Sequence, residues 1–274
     1  MATQKPSNVS GNYVYRKPNV PFDFKIKELP WTKKQQELIQ LLQNKKTKCS
    51  LIKGPAGSSK TIVAIYAGLQ LLKQKKISDI TYVRSAVESG SAKLGFLPGD
   101  IKDKFSVYAT PLNDKLEELL DLSIIKGLND GQFVKAIPVN FMRGLNFSGR
   151  LVILDESQNF TTDELITAIT RLGENSRIWI MGDPYQSDLI GKSKHDFVNF
   201  CEKLSDDECK ENGIESFEFS VDDIVRSEFC KFVVKKLKIY EYNEPELPIV
   251  YTGRKILPLS TKVGEPPTEW SPSA

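Results

Sequence analysis

The chain has 274 residues, of which 40% are hydrophobic and 27% are charged, and its net charge at pH 7 is +3. These values are typical of a soluble globular protein, and they exclude a collagen-like, coiled-coil or wholly disordered chain. The small net charge does not by itself indicate a nucleic-acid-binding protein. No apolar run approaches the roughly 18 residues that a membrane span requires, so we expect no membrane association.

The first residues and the cysteines indicate a reduced, intracellular protein, for which we expect a cytoplasmic location. Residues 1–6 lack the apolar core of a secretory signal. The cysteines form no C-x-x-C pair, which argues against zinc and gives no disulfide framework. They are Cys49, Cys201, Cys209 and Cys230.

The two ends of the chain differ from its middle. Residues 1–30 and 241–274 are rich in proline and have little apolar periodicity, so we predict extended arms outside the core. Residues 31–240 contain nearly all of the regular pattern. We therefore predict one domain at 31–240, flanked by an N-terminal arm and a proline-rich C-terminal tail.

Within the middle region, helical and strand patterns alternate. Lys33–Gln43 places its leucines on one face and predicts a helix, and the apolar run Cys49–Lys53 predicts a strand. Several short, continuously apolar strands separated by helices indicate an α/β fold with a mostly parallel sheet covered on both faces. The later predictions are strands at 80–83, 133–139, 151–154, 177–181 and 217–219, and helices at 61–74, 112–122, 163–172 and 222–238.

The strongest local signal is a glycine-containing loop between a predicted strand and a predicted helix, the context of a phosphate-binding loop. Backbone N–H groups of such a loop and the helix N-terminus bind phosphate. Lys60 would neutralise phosphate charge, and the Thr61 hydroxyl would bind Mg²⁺, which predicts ATP and Mg²⁺ as ligands. The alternative is an unrelated Ser/Gly turn with a chance lysine. The loop consists of Gly54, Pro55, Ala56, Gly57, Ser58, Ser59, Lys60 and Thr61.

One loop residue departs from the usual pattern. Ser59 stands before Lys60, where that pattern has glycine. Serine has a Cβ, so a positive φ or a close approach at this point costs more than it would with glycine. We expect nucleotide binding to be retained.

A second motif follows the apolar strand Leu151–Leu154, where Asp155 and Glu156 stand together. Ligands of open parallel sheets bind at the carboxyl ends of the strands. Asp155 is expected to hold Mg²⁺ through water, and Glu156 to orient and deprotonate an attacking water. The alternative is an ordinary strand end that continues into an acidic loop. The phosphate loop upstream favours the catalytic interpretation.

Two glutamines are further candidates. Gln186 ends the segment Met181–Gln186 after the next apolar strand, where its amide would sense the γ-phosphate. Gln35 precedes the first strand, and its amide matches the donor and acceptor edge of adenine. The alternatives are a Gly-Asp-Pro turn with an uninvolved glutamine and a solvated glutamine on a helix surface.

Taken in order, these residues resemble the PhoH-like ATPase family, in a stand-alone, phage-type form without a preceding nuclease-like domain. The resemblance covers about residues 31–240. The chain departs from the family at two positions. One is Ser59, discussed above, and the other is Ser157, where the family usually has alanine. Besides the phosphate loop, the resemblance rests on residues 83–90, 93–100, 141–144, 151–159, 182–186 and 222–226.

The resemblance implies an ATPase with one RecA-like domain, related to the first lobe of superfamily 1 helicases. It implies RNA or another single-stranded nucleic acid as a partner, and a homo-oligomeric ring such as a hexamer. A phage-encoded protein would act in the host cytoplasm.

Assembly also has a physical argument. Phosphoryl transfer is accelerated by about 10³–10⁵ when an arginine stabilises the transition-state charge. The chain has room for one lobe only, so we expect Arg226, at the start of the predicted helix at 222–238, to enter the site of a neighbouring subunit. The alternative is a local ion pair.

For a nucleic-acid partner, positive residues near strand ends and on the last helix would contact phosphates, and two aromatic residues would stack on bases. The alternative is that the aromatic residues pack the loops and the lysines are solvated. His195 has no partner at ligand spacing, which indicates a structural or solvent-facing residue. The candidates are Arg84, Lys93, Arg143, Lys231, Lys235, Lys236 and Lys238, with Phe96 and Phe141.

Two other functional classes remain open. A nucleotide-gated interaction protein would hydrolyse ATP slowly and dock a host partner through its arms, which Ser59 and the proline-rich ends favour. A small-molecule phosphotransferase is disfavoured by the pair Asp155-Glu156, by the segment Gly182–Gln186 and by the lack of an arginine-rich lid.

Overall fold

A computed structural model describes Val20, residues 22–85 and residues 101–237, with the backbone alone for residues 101–107 and Lys192. The predictions for Lys93, Phe96 and Lys238, for most of the N-terminal arm and for the tail at 241–274 lie outside the described residues. So do the family motif at 93–100 and most of the motif at 83–90.

The described residues form a parallel six-stranded sheet in the order β3-β2-β4-β5-β1-β6. The strand that leads into the phosphate loop, β1, and the strand that ends in the acidic pair, β4, are separated by β5. This arrangement confirms the predicted α/β class. The strands are β1 (Cys49–Lys53), β2 (Ile80–Arg84), β3 (Val134–Pro138), β4 (Leu151–Asp155), β5 (Arg177–Gly182) and β6 (Ile214–Glu218).

The helices connect the strands, and α1 has the predicted bounds. The helix predicted at 163–172 begins one residue earlier and is capped by Thr161, which accepts the N–H of Glu164 in a capping box. In the described part of the chain, no helix is long and apolar enough to cross a membrane. The helices are α1 (Lys33–Gln43), α2 (Lys60–Lys73), α3 (Ile101–Leu119), α4 (Leu122–Asp130), α5 (Thr162–Thr170), α6 (Asp196–Lys203), α7 (Asp207–Glu211) and α8 (Glu228–Lys236).

The sheet has a hydrophobic core on each face, because successive side chains of a strand point to opposite sides. In β4, Leu151 and Ile153 pack on one side with residues of α1, α2, α3 and α4. Val152 and Leu154 pack on the other side with residues of α5 and α6. The predicted covering of both faces is therefore confirmed, and every residue of β4 is buried.

The N-terminal arm is extended where it is described, but it is not outside the core. Val20 and Phe24 are buried in the core that faces α1 to α4. The Lys73 ammonium donates to the Phe24 carbonyl oxygen over 2.6 Å, which fixes this segment against α2. For this part of the arm, the expectation that it lies apart from the core is wrong. The boundaries at residues 30 and 240 stay predictions.

The late helix predicted at 222–238 is divided in two. A short 3-10 turn covers Val221–Asp223, and α8 begins only at Glu228. Ser227 caps α8 by accepting the N–H of Cys230, so the chain between the turn and α8 is not helical. Arg226 therefore precedes the helix, and its predicted place at a helix start is corrected.

Candidate active site

The carboxyl ends of β1, β2, β4 and β5 lie side by side at one edge of the sheet. The parallel registers pair Lys53 with Gly182 and Arg84 with Asp155. The residues that follow these strands are the phosphate loop, the acidic pair and the segment after Gly182. The edge where ligands of open parallel sheets bind thus contains the three sequence motifs together.

The backbone of the loop explains its glycines and its one serine. A β-carbon on Gly54 would lie 2.7 Å from the Phe219 Cβ, a distance that side chains do not tolerate. Gly57 has φ +86°, and Ser59 has φ 66° and ψ 24°, in the left-handed region. That region costs an L-residue roughly 1–2 kcal/mol. The expected conformational cost at Ser59 is therefore present.

The Lys60 ammonium lies over the loop itself. Its Nζ donates to the carbonyl oxygens of Gly54 and Pro55 over 2.7 and 2.9 Å. Burial lowers the pKa of this ammonium, and the charges of nearby carboxylates oppose that change. An ammonium has three donors, so a phosphate in the loop can be bound by the third or can replace the carbonyls.

Asp155 joins the phosphate loop to β2. The Thr61 hydroxyl donates to both carboxylate oxygens of Asp155 over 3.2 Å, and the fully buried Tyr82 hydroxyl donates to Oδ2. Burial and the charge of Glu156 raise the pKa of Asp155, while the hydrogen bond from Tyr82 opposes the rise. Tyr82 was missed in the sequence, where its only signal is a phenol hydroxyl in a strand that also contains Thr81 and Arg84.

These oxygens fit a magnesium ion that is shared with a nucleotide. Mg²⁺ is usually bound by one or two carboxylates together with waters and substrate phosphates. Asp155 and Thr61 supply two such oxygens at the mouth of the phosphate loop. Within the described ranges, no group of three or more His, Cys, Asp or Glu residues could hold a metal ion alone. The donor set therefore fits Mg²⁺ only in company with phosphate.

Glu156 has a strained backbone and two side-chain neighbours. Its φ is 54° and its ψ is 43°, a conformation that non-glycine residues rarely adopt. Its Oε2 accepts the Gln158 Nε2 over 2.7 Å, and its Oε1 lies 4.0 Å from the Arg84 Nη2. Such backbone strain clusters at functional sites, where the surroundings must hold it in place.

A buried polar chain connects Glu156 to the phosphate loop. The Gln158 Oε1 accepts the Asp183 N–H over 2.9 Å, and the Asp183 Oδ2 accepts the Ala56 N–H over 2.9 Å. A β-carbon on Gly182 would lie 2.9 Å from the Gln158 Oε1, so this position suits glycine. Sequence analysis did not single out Gln158 or Asp183, although both stand within motifs that it identified.

Gln186 lies near Glu156 but is exposed. Its backbone N–H donates to the Asp183 carbonyl oxygen over 3.2 Å, and its side chain lines a cavity of about 460 Å³. Glu156 lines the same cavity, and the sensing of the γ-phosphate by Gln186 stays a prediction. The lining residues are Arg84, Glu156, Gln158, Asn159, Gln186, Ser187 and Asp188.

Arg226 lies against the phosphate loop of its own chain. The Val225 N–H donates to the Gly57 carbonyl oxygen over 3.1 Å, and a β-carbon on Gly57 would lie 3.1 Å from the Arg226 Cβ. The Arg226 side chain is exposed at this point. The Arg226 Cβ thus lies beside Gly57 of its own chain, and the service of its guanidinium to a neighbouring subunit stays a prediction.

Gln35 has a structural role that sequence analysis did not foresee. It is 4% exposed, and its Oε1 accepts the Thr32 N–H over 3.0 Å while its own N–H donates to the Thr32 hydroxyl. These bonds form the capping box of α1. The amide oxygen is therefore engaged within α1, and the contact of Gln35 with adenine stays a prediction.

Of the described candidates for nucleic-acid contacts, only Arg84 lies at the site. Phe141 and Arg143 are exposed in and after a 3-10 turn that follows β3. Lys231 and Lys235 form ion pairs with Asp222. His195 is exposed, as predicted.

Comparison with known proteins agrees with the motifs. The family model described as PhoH-like protein matches residues 27–238. A PhoH-like protein of Bacillus subtilis is 36% identical over 188 residues, which cover 69% of this chain and 56% of the relative. Protein PhoH of Escherichia coli is 33% identical over 180 residues, which cover 65% and 49%. The chain spans about half the length of the curated relatives that it matches.

A solved structure aligns with part of this chain at low similarity. The large terminase of a thermophilic bacteriophage, in complex with ADP, aligns with a TM-score of 0.47 and 13% identity, over 76% of this chain and 50% of that one. At these values the likeness carries no argument about function. The strand order, the phosphate loop and the acidic pair define a single P-loop, RecA-like domain, and with the family match they lead to one conclusion: the chain is a member of the PhoH-like family.

Proposed function

We propose that the protein binds ATP with Mg²⁺ and hydrolyses it. The observation that carries the proposal is the contact between Thr61 and Asp155, because it brings two oxygen ligands for Mg²⁺ together beside a phosphate loop. The residues that the chemistry needs lie around this contact. The activity, the metal and the role of each residue are inferred from chemistry and position.

In the proposed mechanism, each side chain has a distinct task. Lys60 leaves the carbonyls of its own loop and binds phosphate. Glu156 accepts the proton of the attacking water, and Arg226 neutralises charge on the transferred group. When bound, Mg²⁺ supplies further charge neutralisation on the phosphate oxygens.

The buried polar chain would fix the position of Glu156 relative to the phosphate loop. Asp183 holds the loop through Ala56, and Gln158 holds Glu156 relative to Asp183. A shift of the loop on losing the γ-phosphate would therefore reach Glu156 through hydrogen bonds. We assign to Gln186 the sensing of that phosphate, since Gln186 lines the same cavity as Glu156.

We further propose RNA or another single-stranded nucleic acid as the partner to which hydrolysis is coupled. Arg84 supports this proposal, because it lies both at the sheet edge and beside Glu156. Assembly as a homo-oligomer also remains a proposal. The arginine argument for it weakens, since Arg226 reaches the loop of its own chain.

A second candidate function is a nucleotide-gated interaction protein. It is favoured by α8, on which Phe229 and Phe232 are 77% and 62% exposed, because exposed apolar side chains on one helix are typical of a docking surface. Such a protein would bind ATP and turn it over slowly. The rate of hydrolysis therefore distinguishes the two candidates.

Nucleotide binding is tested by the substitution Lys60→Ala. The loss of a charged hydrogen bond is expected to weaken the binding of a fluorescent ATP analogue about 10- to 100-fold. Fluorescence anisotropy at equilibrium measures the change. The control is Lys126→Ala on the exposed face of α4, which should bind as wild type does. Equal affinity of the Lys60→Ala and wild-type proteins would contradict the proposed site.

The substitution Tyr82→Phe is expected to raise the Mg²⁺ concentration for half-maximal turnover about tenfold. A residue that orients a metal ligand by a hydrogen bond typically changes the metal affinity by roughly 10- to 100-fold. Tyr82 makes such a bond to Asp155. The Mg²⁺-dependent gain in nucleotide affinity should weaken in parallel. Tyr66→Phe, which removes a hydrogen bond to Glu28 instead, is the control. An unchanged Mg²⁺ requirement in Tyr82→Phe would exclude this positioning role.

A further inference from the structure

Each carboxylate oxygen of Glu156 has one side-chain neighbour. The Gln158 amide donates to Oε2, and the Arg84 guanidinium lies 4.0 Å from Oε1. Arg84 is the last residue of β2, directly beside Asp155 in the register of β4. The carboxylate that would accept a proton therefore faces a cation on the side toward β2.

This restraint is suited to release. The side chains of Arg84 and Glu156 are 32% and 43% exposed, so water screens their attraction and the pair is weak. The bond from Gln158 is different, because Gln158 is buried and fixed at both ends of its amide. Arg84 is thus the partner of Glu156 that a molecule from solvent can remove.

The chemistry of Arg84 favours a phosphate as that molecule. Arg84 and Glu156 line the cavity of about 460 Å³, and its other lining residues offer amide groups, a hydroxyl group and the carboxylate of Asp188. A guanidinium presents a fork of N–H donors that matches phosphate oxygens. The Oδ2 of the Asp188 carboxylate accepts the Asn159 amide over 3.0 Å, which fixes this carboxylate at the cavity wall. A phosphodiester in this cavity can therefore compete with Glu156 for Arg84.

We propose that Arg84 restrains Glu156 in the free protein, and that a backbone phosphate of single-stranded RNA binds Arg84 and frees Glu156 to accept the proton of water. The inference rests on the proposed ATPase function and adds its regulation. The RNA is then an activator that acts through one arginine, and its bases need not be read. Activation is expected to be independent of sequence and to fall with salt.

The test compares phosphate release from ATP by wild type and Arg84→Ala, with and without a single-stranded oligouridylate. Without RNA, Arg84→Ala is expected to turn over ATP about two- to fivefold faster, the range for an exposed ion pair. Added RNA should stimulate this variant less than wild type, and anisotropy should show weaker binding of labelled RNA. Arg84→Gln, which lacks the charge but keeps a polar side chain, is expected to behave in the same way.

The control is Arg171→Ala. Arg171 follows α5 on the way to the start of β5, at the opposite edge of the sheet from the site, so its loss removes equal charge without touching Glu156. Its basal rate and its stimulation by RNA should equal those of wild type. A faster basal rate in Arg171→Ala as well as in Arg84→Ala would overturn the proposal, because the loss of net charge would then be the cause.

Three further results would overturn the restraint. They are an unchanged basal rate in both Arg84 variants, a slower basal rate, and full stimulation of Arg84→Ala by RNA. In each case, Glu156→Gln separates this failure from failure of the proposed function. If Glu156→Gln abolishes turnover, the proposed ATPase function stands and only the proposed restraint by Arg84 is rejected. If turnover survives in Glu156→Gln, both proposals are rejected.

Discussion

Replacing Glu156 with glutamine is expected to lower the rate of ATP turnover by about 10²–10⁴, the contribution of a positioned general base. The two side chains have nearly the same shape, so the hydrogen-bonded surroundings of residue 156 can be kept. Glutamine cannot accept the proton of the attacking water. Binding of ATP should stay near wild type, because Lys60, Thr61 and the loop backbone are unchanged. Steady-state phosphate release gives the rate, and equilibrium anisotropy gives the affinity.

The matched control is Glu117→Gln on the exposed surface of α3. It removes the same charge away from the site and should leave turnover unchanged. A Glu156→Gln protein that retains the wild-type rate would show that the water is activated by another group. Loss of rate together with loss of ATP binding would instead indicate a distorted loop.

Replacing Arg226 with alanine is expected to reduce turnover by about 10³–10⁵ while ATP still binds. Arg226 lies against Gly57, and in the proposed mechanism its guanidinium reaches the phosphates from this position. Arg226→Lys should recover only part of the rate, because an ammonium lacks the planar fork of donors that a guanidinium presents. Single-turnover kinetics with saturating ATP measure the chemical step directly.

Mixing two variants distinguishes whether Arg226 acts in the site of its own chain or in that of a neighbouring subunit. Arg226→Ala and Lys60→Ala subunits are inactive by different defects. If Arg226 acts within its own chain, as its contact with Gly57 indicates, the mixture should stay inactive. If Arg226 acts on a neighbouring subunit, Lys60→Ala chains would supply the missing arginine and turnover would return. Recovered turnover would contradict the own-chain placement and support an oligomer.

The parts of the fold with local causes were predictable from the sequence. The strand β1 has the predicted bounds because an apolar run ends there in the glycine of a tight loop. The loop and the acidic pair were predictable because phosphate and Mg²⁺ require particular residue types at fixed spacing. Even the conformational cost at Ser59 follows from the pattern, since the usual glycine marks a positive φ.

The parts that depend on the order of strands were not predictable. Tyr82 reaches Asp155 only because β2 lies next to β4. Asp183 reaches the loop only because β5 lies next to β1. No local pattern gives these neighbours, so the buried partners of the candidate catalytic residues appeared only in three dimensions.

Side-chain hydrogen bonds decided two features that local patterns did not give. Gln35 looked available to a ligand, yet its amide oxygen accepts the Thr32 N–H in the capping box of α1. The basic, apolar run at 222–238 looked like one helix. Instead, Ser220 caps a short 3-10 turn and Ser227 caps α8, so the run is divided. In the second case the division has a consequence, because it places Arg226 in the extended link beside Gly57.

The most direct test of the central claim is phosphate release from ATP by the purified wild-type protein, with Mg²⁺ and with the metal removed by a chelator. The proposed function predicts steady release with Mg²⁺ and a rate at background without it, because the ion that Thr61 and Asp155 are proposed to hold would neutralise charge on the phosphate oxygens. Release at background under both conditions, from a protein shown to bind ATP, would contradict hydrolysis and favour the nucleotide-gated interaction protein.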